Sequence, residues 1–172
     1  MNRKLLVAGL AAAIMAGSAQ GATQTANLGV QIIIQNACTI AVTDPIDFGT
    51  QNEVNTTAWE DAGNVRVTCT AVAPITVTLD AGLNPVGGAT DFANRQMALG
   101  ANRILYTIRT APAGGGTVIG DGVSSGSAYA FSGNSTGNSA IQDIAVYGIT
   151  ASGQGAKAAG TYNDTVVATV TY

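Results

Sequence analysis

An all-β sandwich is the fold class that this 172-residue sequence predicts, and three observations predict it. Short runs of alternating apolar and polar residues recur from Ala26 to Tyr172. Between them lie stretches rich in Gly, Pro, Asn and Ser, the residues of turns. Beyond residue 21, no stretch of a dozen residues keeps a helical period.

The elements follow in chain order. Residues 1–21 start with basic Arg3 and Lys4, continue with the apolar run Leu5–Ala16, and end in small residues with Ala19 and Gly21 spaced as a cleavage site. The run is too short to cross a bilayer as a helix. This predicts a secretory signal peptide, cleaved after Gly21 or close by. Residues 22–36 follow. Ala26, Leu28, Val30, Ile32 and Ile34 alternate with Asn27, Gly29 and Gln31, Ile33 being the one exception. Period-2 alternation marks a strand with one buried face. Such a strand can pair within its own domain or add to a neighbour's sheet, and periodicity does not choose between them.

Cys38–Thr43 alternates next, followed by Ile46 and Phe48 between Pro45 and Gly49. Residues 51–63 are polar and predict a loop, with a short helical turn capped at Thr57–Glu60 as an option. Asn64–Thr70 places Val65, Val67 and Cys69 on one face, and Pro74–Asp80 does the same with Ile75, Val77 and Leu79. Residues 82–90 predict a turn region. Arg103–Thr110 alternates through Ile104, Tyr106 and Ile108. Short strands are expected at Thr117–Ile119 and Ala128–Ser132, a longer one at Ile141–Thr150, and a last one at Thr165–Tyr172, where Val166, Ala168, Val170 and Tyr172 share a face.

Composition narrows the function. Removing Arg3 and Lys4 leaves five basic residues against ten acidic ones, a net charge of about −5. A nucleic-acid binder needs the opposite sign. Charged residues are 10% of the chain, against about a quarter in an ordinary globular protein. That suits an exported structural protein better than a cytosolic enzyme. In an exported chain the only two cysteines, Cys38 and Cys69, are expected to form a disulfide. Histidine is absent, so the usual general base of a nucleophilic triad is missing, and a metal site lacks its commonest ligand. The carboxylates are dispersed apart from Glu60-Asp61 and Asp44/Asp47, and read as solvated loop acids rather than a glycosidase pair. Gly114-Gly115-Gly116 lacks the ending of a phosphate-binding loop. No catalytic residue, metal or cofactor is expected.

Several features combine into a resemblance. They are the alternating N-terminal segment; Cys38-Thr39 just after it; Asp47-Phe48-Gly49; Val65-x-Val67-x-Cys69; Arg103-Ile104-Leu105-Tyr106; and the ending Gly160-Thr161-Tyr162-x-Asp164-Thr165-Val166 with Val170-Thr171-Tyr172. Over the whole mature chain this resembles the spore coat protein U domain family, which includes subunits of archaic (Csu-type) chaperone–usher pili. The resemblance implies an incomplete immunoglobulin-like β-sandwich at residues 37–172, preceded by a donor strand at 22–36. It implies a structural pilus subunit, not an enzyme, that serves adhesion and biofilm formation. A periplasmic chaperone and an outer-membrane usher would be partners, and neighbouring pilin subunits would join it in a homo- or hetero-polymer at the cell surface. Donor residues would be Ala26, Leu28, Val30, Ile32 and Ile34. Val166, Ala168, Val170 and Tyr172 would border the acceptor groove and contact the chaperone. The alternatives are a sugar-binding adhesin and a self-complemented secreted coat or matrix protein.

Overall fold

Inward-facing Val65, Val67, Cys69, Ile75, Val77, Leu79, Tyr106, Ile108 and Val146 form one buried core, and each belongs to a strand whose next residue faces outward. This computed structural model describes residues 21–52, 57–124 and 130–172. The signal peptide expected at 1–21 therefore lies, but for Gly21, outside the described residues. The chain divides into two units, residues 1–32 and Ile33–Tyr172. In the first, residues 21–32 carry no strand or helix, and their side chains are exposed.

The second unit is a β-sandwich with no helix among its described residues. Its strands are β1 (Cys38–Asp44), β2 (Glu60–Cys69), β3 (Pro74–Leu79), β4 (Arg95–Leu99), β5 (Asn102–Arg109), β6 (Phe131–Asn134), β7 (Ile141–Thr150) and β8 (Ala168–Thr171). One sheet has five strands in the order β1-β2-β7-β5-β4, and the other has three in the order β6-β3-β8. All pairings within the sheets are antiparallel.

Several expectations need correction. Residues 51–63 are not all loop: Glu60–Gly63 open β2 and pair with Ile149–Val146, so no helical turn forms at Thr57–Glu60. Gly63 sits where a Cβ would meet the Asp44 carbonyl and the Ile46 side chain, each at 2.9 Å, so its missing side chain interrupts an alternation that the strand keeps. β4 lay in a stretch with no expected strand, because its fully buried inward residue is Arg95. Thr117–Ile119 forms no strand: Val118 bridges to Arg109, Ile119 is a bridge residue too, and the Ile119 N–H donates to the Ile108 carbonyl at 2.8 Å. β6 runs later than the strand expected at Ala128–Ser132, of which Ala128 and Tyr129 lie outside the described residues. The last strand is shorter than Thr165–Tyr172.

Cys38 and Cys69 form a disulfide across paired positions of β1 and β2, with Cα atoms 4.1 Å apart. Opposed residues that exchange no backbone hydrogen bonds sit closest across an antiparallel pair, at about 4.5 Å. On the outer face of the large sheet, Arg66 pairs with Asp143 at 2.7 Å, and its hydrogen bond holds the Asp143 carboxyl below the usual carboxylate range.

Replacing both cysteines by serine opens a link between residues 31 apart in sequence. The expected loss is about 3–4 kcal/mol, measured as a lower urea midpoint with a steeper slope, since the unfolded chain loses its cross-link.

Candidate functional site

The sandwich is open along one flank. β1 ends the large sheet and β8 ends the small one. The two come within 8 Å of each other without pairing. Backbone direction follows from the hydrogen bonds at each strand's end. The Thr70 N–H donates to the Ala37 carbonyl at 3.0 Å, and the Asp80 N–H donates to the Val167 carbonyl at 3.0 Å. Hydrogen-bonded and non-hydrogen-bonded pairs alternate in an antiparallel ladder. Cys38, Ile40 and Val42 of β1, and Ala168 and Val170 of β8, therefore aim their backbone N–H and C=O groups into the open flank. The side chains of Cys38, Ile40, Ala168 and Val170 pack against the core but stay only half-buried.

Between the edges lies a groove of about 1420 Å³. Val42, Ile46 and Phe48 line one side, and Val166 and Ala168 the other. Val65, Leu79, Ile104, Tyr106, Ile108 and Val146 contribute core side chains. This exceeds the range of about 300–1,000 Å³ usual for small-ligand pockets. Asp47, Asn52, Lys157 and Thr165 also line the groove. A trough with this apolar side-chain lining, flanked by free backbone groups, has the chemistry to take a polypeptide strand, which supplies side chains for the trough and hydrogen bonds for both rims. Among the described residues, no group of three or more His, Cys, Asp or Glu side chains could hold a metal ion.

Polar contacts fix the β8 rim. The Tyr106 hydroxyl donates to Asp164 Oδ2 at 2.6 Å, and Asp164 Oδ1 accepts the Leu83 N–H at 2.8 Å. Asp80 Oδ1 accepts the N–H groups of Val167 at 2.9 Å and Gly82 at 3.0 Å. Gly82 has φ 77°, and a Cβ there would collide with the Asp164 carboxylate. Fully buried Arg95 donates to the carbonyls of Asp80 at 2.6 and 2.9 Å, Phe92 at 2.9 Å and Ile119 at 2.8 Å. Its charge is thus met by carbonyl dipoles and by the Phe92 ring, 5.6 Å away. Burial lowers the Arg95 pKa. Burial, and then the bond to Asp164, push the Tyr106 hydroxyl well above the ordinary tyrosine value.

The family model for the spore coat protein U domain matches residues 24–169. The chain belongs to the spore coat protein U family. Protein U of Myxococcus xanthus is 34% identical over 177 residues, which cover 94% of this chain and 93% of that protein. Among solved structures, this chain is similar to a chain of the CsuC–CsuE chaperone–tip adhesion subunit pre-assembly complex, from the archaic chaperone–usher Csu pili of Acinetobacter baumannii. The TM-score is 0.54 at 21% identity, over 81% of this chain and 40% of that one. The likeness is one of fold, the immunoglobulin-like sandwich, and this chain spans less than half the length of the other.

The motifs of this spore coat protein U chain find structural uses. In Asp47-Phe48-Gly49, Asp47 Oδ1 accepts the Gly49 N–H at 2.9 Å, and Phe48 meets Tyr106 edge-on at 6.5 Å between ring centroids. Gly148 makes room for Ile46 and Phe48, since a Cβ there would meet Phe48 at 3.0 Å and Ile46 closer still. In the C-terminal motif, Asn163 exchanges backbone hydrogen bonds with Ala98 of β4 before the chain crosses to the small sheet as β8. Val166, Ala168 and Val170 pack on the core, while Tyr172, past the end of β8, is 57% exposed. Leu28, Val30, Ile32 and Ile34 are 89%, 89%, 83% and 74% exposed, and Ala26 is exposed as well. Sequence reasoning missed the Arg95 cage and treated Tyr106 only as a packing residue. The arginine carries no local signal, because its acceptors are carbonyls from three separate segments.

Replacing Tyr106 by Phe leaves Asp164 Oδ2 short of a donor, with an expected loss of about 1–3 kcal/mol in urea unfolding. A hydroxyl whose native pKa is raised stabilises fully below the unfolded tyrosine value of about 10 and loses that contribution as pH rises toward the native value. The Phe variant should lack this part of the alkaline decline. Replacing Arg95 by Met orphans several buried carbonyls and should cost at least about 3 kcal/mol.

Proposed function

We propose that this protein is a structural subunit of an extracellular chaperone–usher pilus, polymerising by donor-strand complementation. The observation that carries the reading is the apolar groove between two unpaired sheet edges, in a chain whose residues 26–34 expose alternating aliphatic side chains. On this reading residues 1–21 are a signal peptide, 22–36 the donor strand and 37–172 the pilin domain. Ala26, Leu28, Val30, Ile32 and Ile34 enter a neighbouring subunit's groove, against the rim formed by Val166, Ala168, Val170 and Tyr172. In an extended strand these five alternate side chains span about 26 Å.

The energetics favour a transient partner before assembly. Burying four large aliphatic side chains is worth roughly 6–12 kcal/mol at about 1.5–3 each. A whole domain's stability is about 5–15 kcal/mol. An unfilled domain is therefore marginal, and its open edges invite aggregation. A periplasmic chaperone would cover the groove until an outer-membrane usher exchanges it for the next subunit. The fold neighbour supports this, since it comes from a chaperone–tip adhesion subunit pre-assembly complex. Polymers at the cell surface would then serve adhesion and biofilm formation. The role is mechanical, not enzymatic.

The purified chain should run as a ladder on SDS gels when unboiled and collapse to monomer on boiling. Deleting residues 22–35 should abolish the ladder while leaving chaperone capture intact, and fibres from that truncated chain would remove the donor assignment. Ile32→Asp puts a charge into a dry groove and should block assembly, whereas Gln31→Asp, on the opposite face, should not. Equal effects in the gel assay would refute the assigned face.

A further inference from the structure

Upstream of β1, residues 35–37 are tied to the end of β2. The Ala37 N–H donates to Thr70 Oγ1 at 2.9 Å, and the same hydroxyl donates to the Gln35 carbonyl at 3.3 Å. The Thr70 N–H donates to the Ala37 carbonyl at 3.0 Å, and the Ala71 N–H to Asn36 Oδ1 at 3.1 Å. These contacts continue the line of β1 along β2 for three residues beyond the disulfide.

We propose that Thr70 and Asn36 form a clasp that directs the donor segment into a second copy of this chain rather than into its own groove; the inference rests on the strand-exchange reading. The groove lies on the flank of β1 opposite β2. A segment returning to it must reverse just before Cys38, and a hairpin connection takes about two to five residues. Only Gln35, Asn36 and Ala37 separate Ile34 from Cys38. All three are held by the clasp, so a turn placed there must break it. A turn placed earlier consumes Ile34, and Ile32 too where it takes three residues or more, and so forfeits one or two of the five groove-filling side chains. A segment arriving from another copy meets neither obstacle. Thr70 and Asn36 are thus positioning residues that select exchange over self-insertion.

The test is refolding of the full mature chain without chaperone, read by unboiled SDS gel and size exclusion. Wild type and a Thr68→Val control should partition mainly to polymer. The Asn36→Ala/Thr70→Val variant should raise the monomer fraction about tenfold, the scale set by losing a few hydrogen bonds. In that monomer, amides of residues 28–34 should be protected from hydrogen exchange. Thr70→Ser keeps the hydroxyl and should restore the wild-type partition. Thr70→Val alone should move the partition the same way, which guards against misfolding of the double variant. An unchanged monomer fraction, or monomers with unprotected 28–34 amides, would overturn the clasp alone. A wild type that forms no boiling-sensitive polymer would overturn the strand-exchange reading and the clasp with it.

Discussion

The core of this sandwich is bounded by one strand too few. Five strands face three, and the side chains of Val65, Leu79, Tyr106, Ile108 and Val146 line a trough where another strand's residues would lie in a closed sandwich. Apolar burial is the main driving force of folding, and Ile46, Phe48, Val166 and Ala168 along the trough are only partly buried, so part of theirs is unrealised. Both rims also carry backbone groups with no sheet neighbour. The missing strand must supply both kinds of complement, which is why the proposed partner is an extended segment and not a small molecule.

The open groove keeps its shape because its rims are fixed by forces that do not depend on its contents. The disulfide ties β1 to β2 at the end where the N-terminal segment joins. Ile46 and Phe48 continue the β1 side and pack down over Gly148. On the opposite side, Asp80 and Asp164 bind backbone N–H groups around the start of β8, and Arg95 gathers the carbonyls of the chain beside it. A covalent bond holds one rim and directional hydrogen bonds hold the other. Apolar surface alone would let the two edges collapse together, since it has no preferred geometry.

Such a low-charge chain suits a proposed life outside the cytoplasm. Charged residues are 10% of the chain, the outer face of the large sheet bears an exposed Arg66–Asp143 pair, and Arg95, the one fully buried cation among the described residues, is satisfied by carbonyl oxygens. Stability accordingly depends on packing, the disulfide and the buried polar contacts more than on surface ion pairs, which are individually weak.

The sequence by itself determined the class, most of the strands and the cystine. Ile141–Thr150 was legible to the residue, and β1, β3 and β5 within a residue at their ends, because alternation is a local record of which side chains face inward. At 26–34 the same alternation is present, but those residues form no strand in this chain and their side chains are exposed. The tertiary structure alone decided what those faces meet. β4 was invisible because its buried residue is an arginine whose acceptors come from Leu79–Asp80, Phe92 and Ile119. The opening of β2 was hidden behind Gly63, an inward position left without a side chain because the Asp44 carbonyl and Ile46 fill the space. The strand order, the open flank and the Tyr106–Asp164 contact are relations between segments far apart in sequence. Periodicity reports that a face is buried or apolar; whether a neighbour covers it is settled by the other strands of the sandwich.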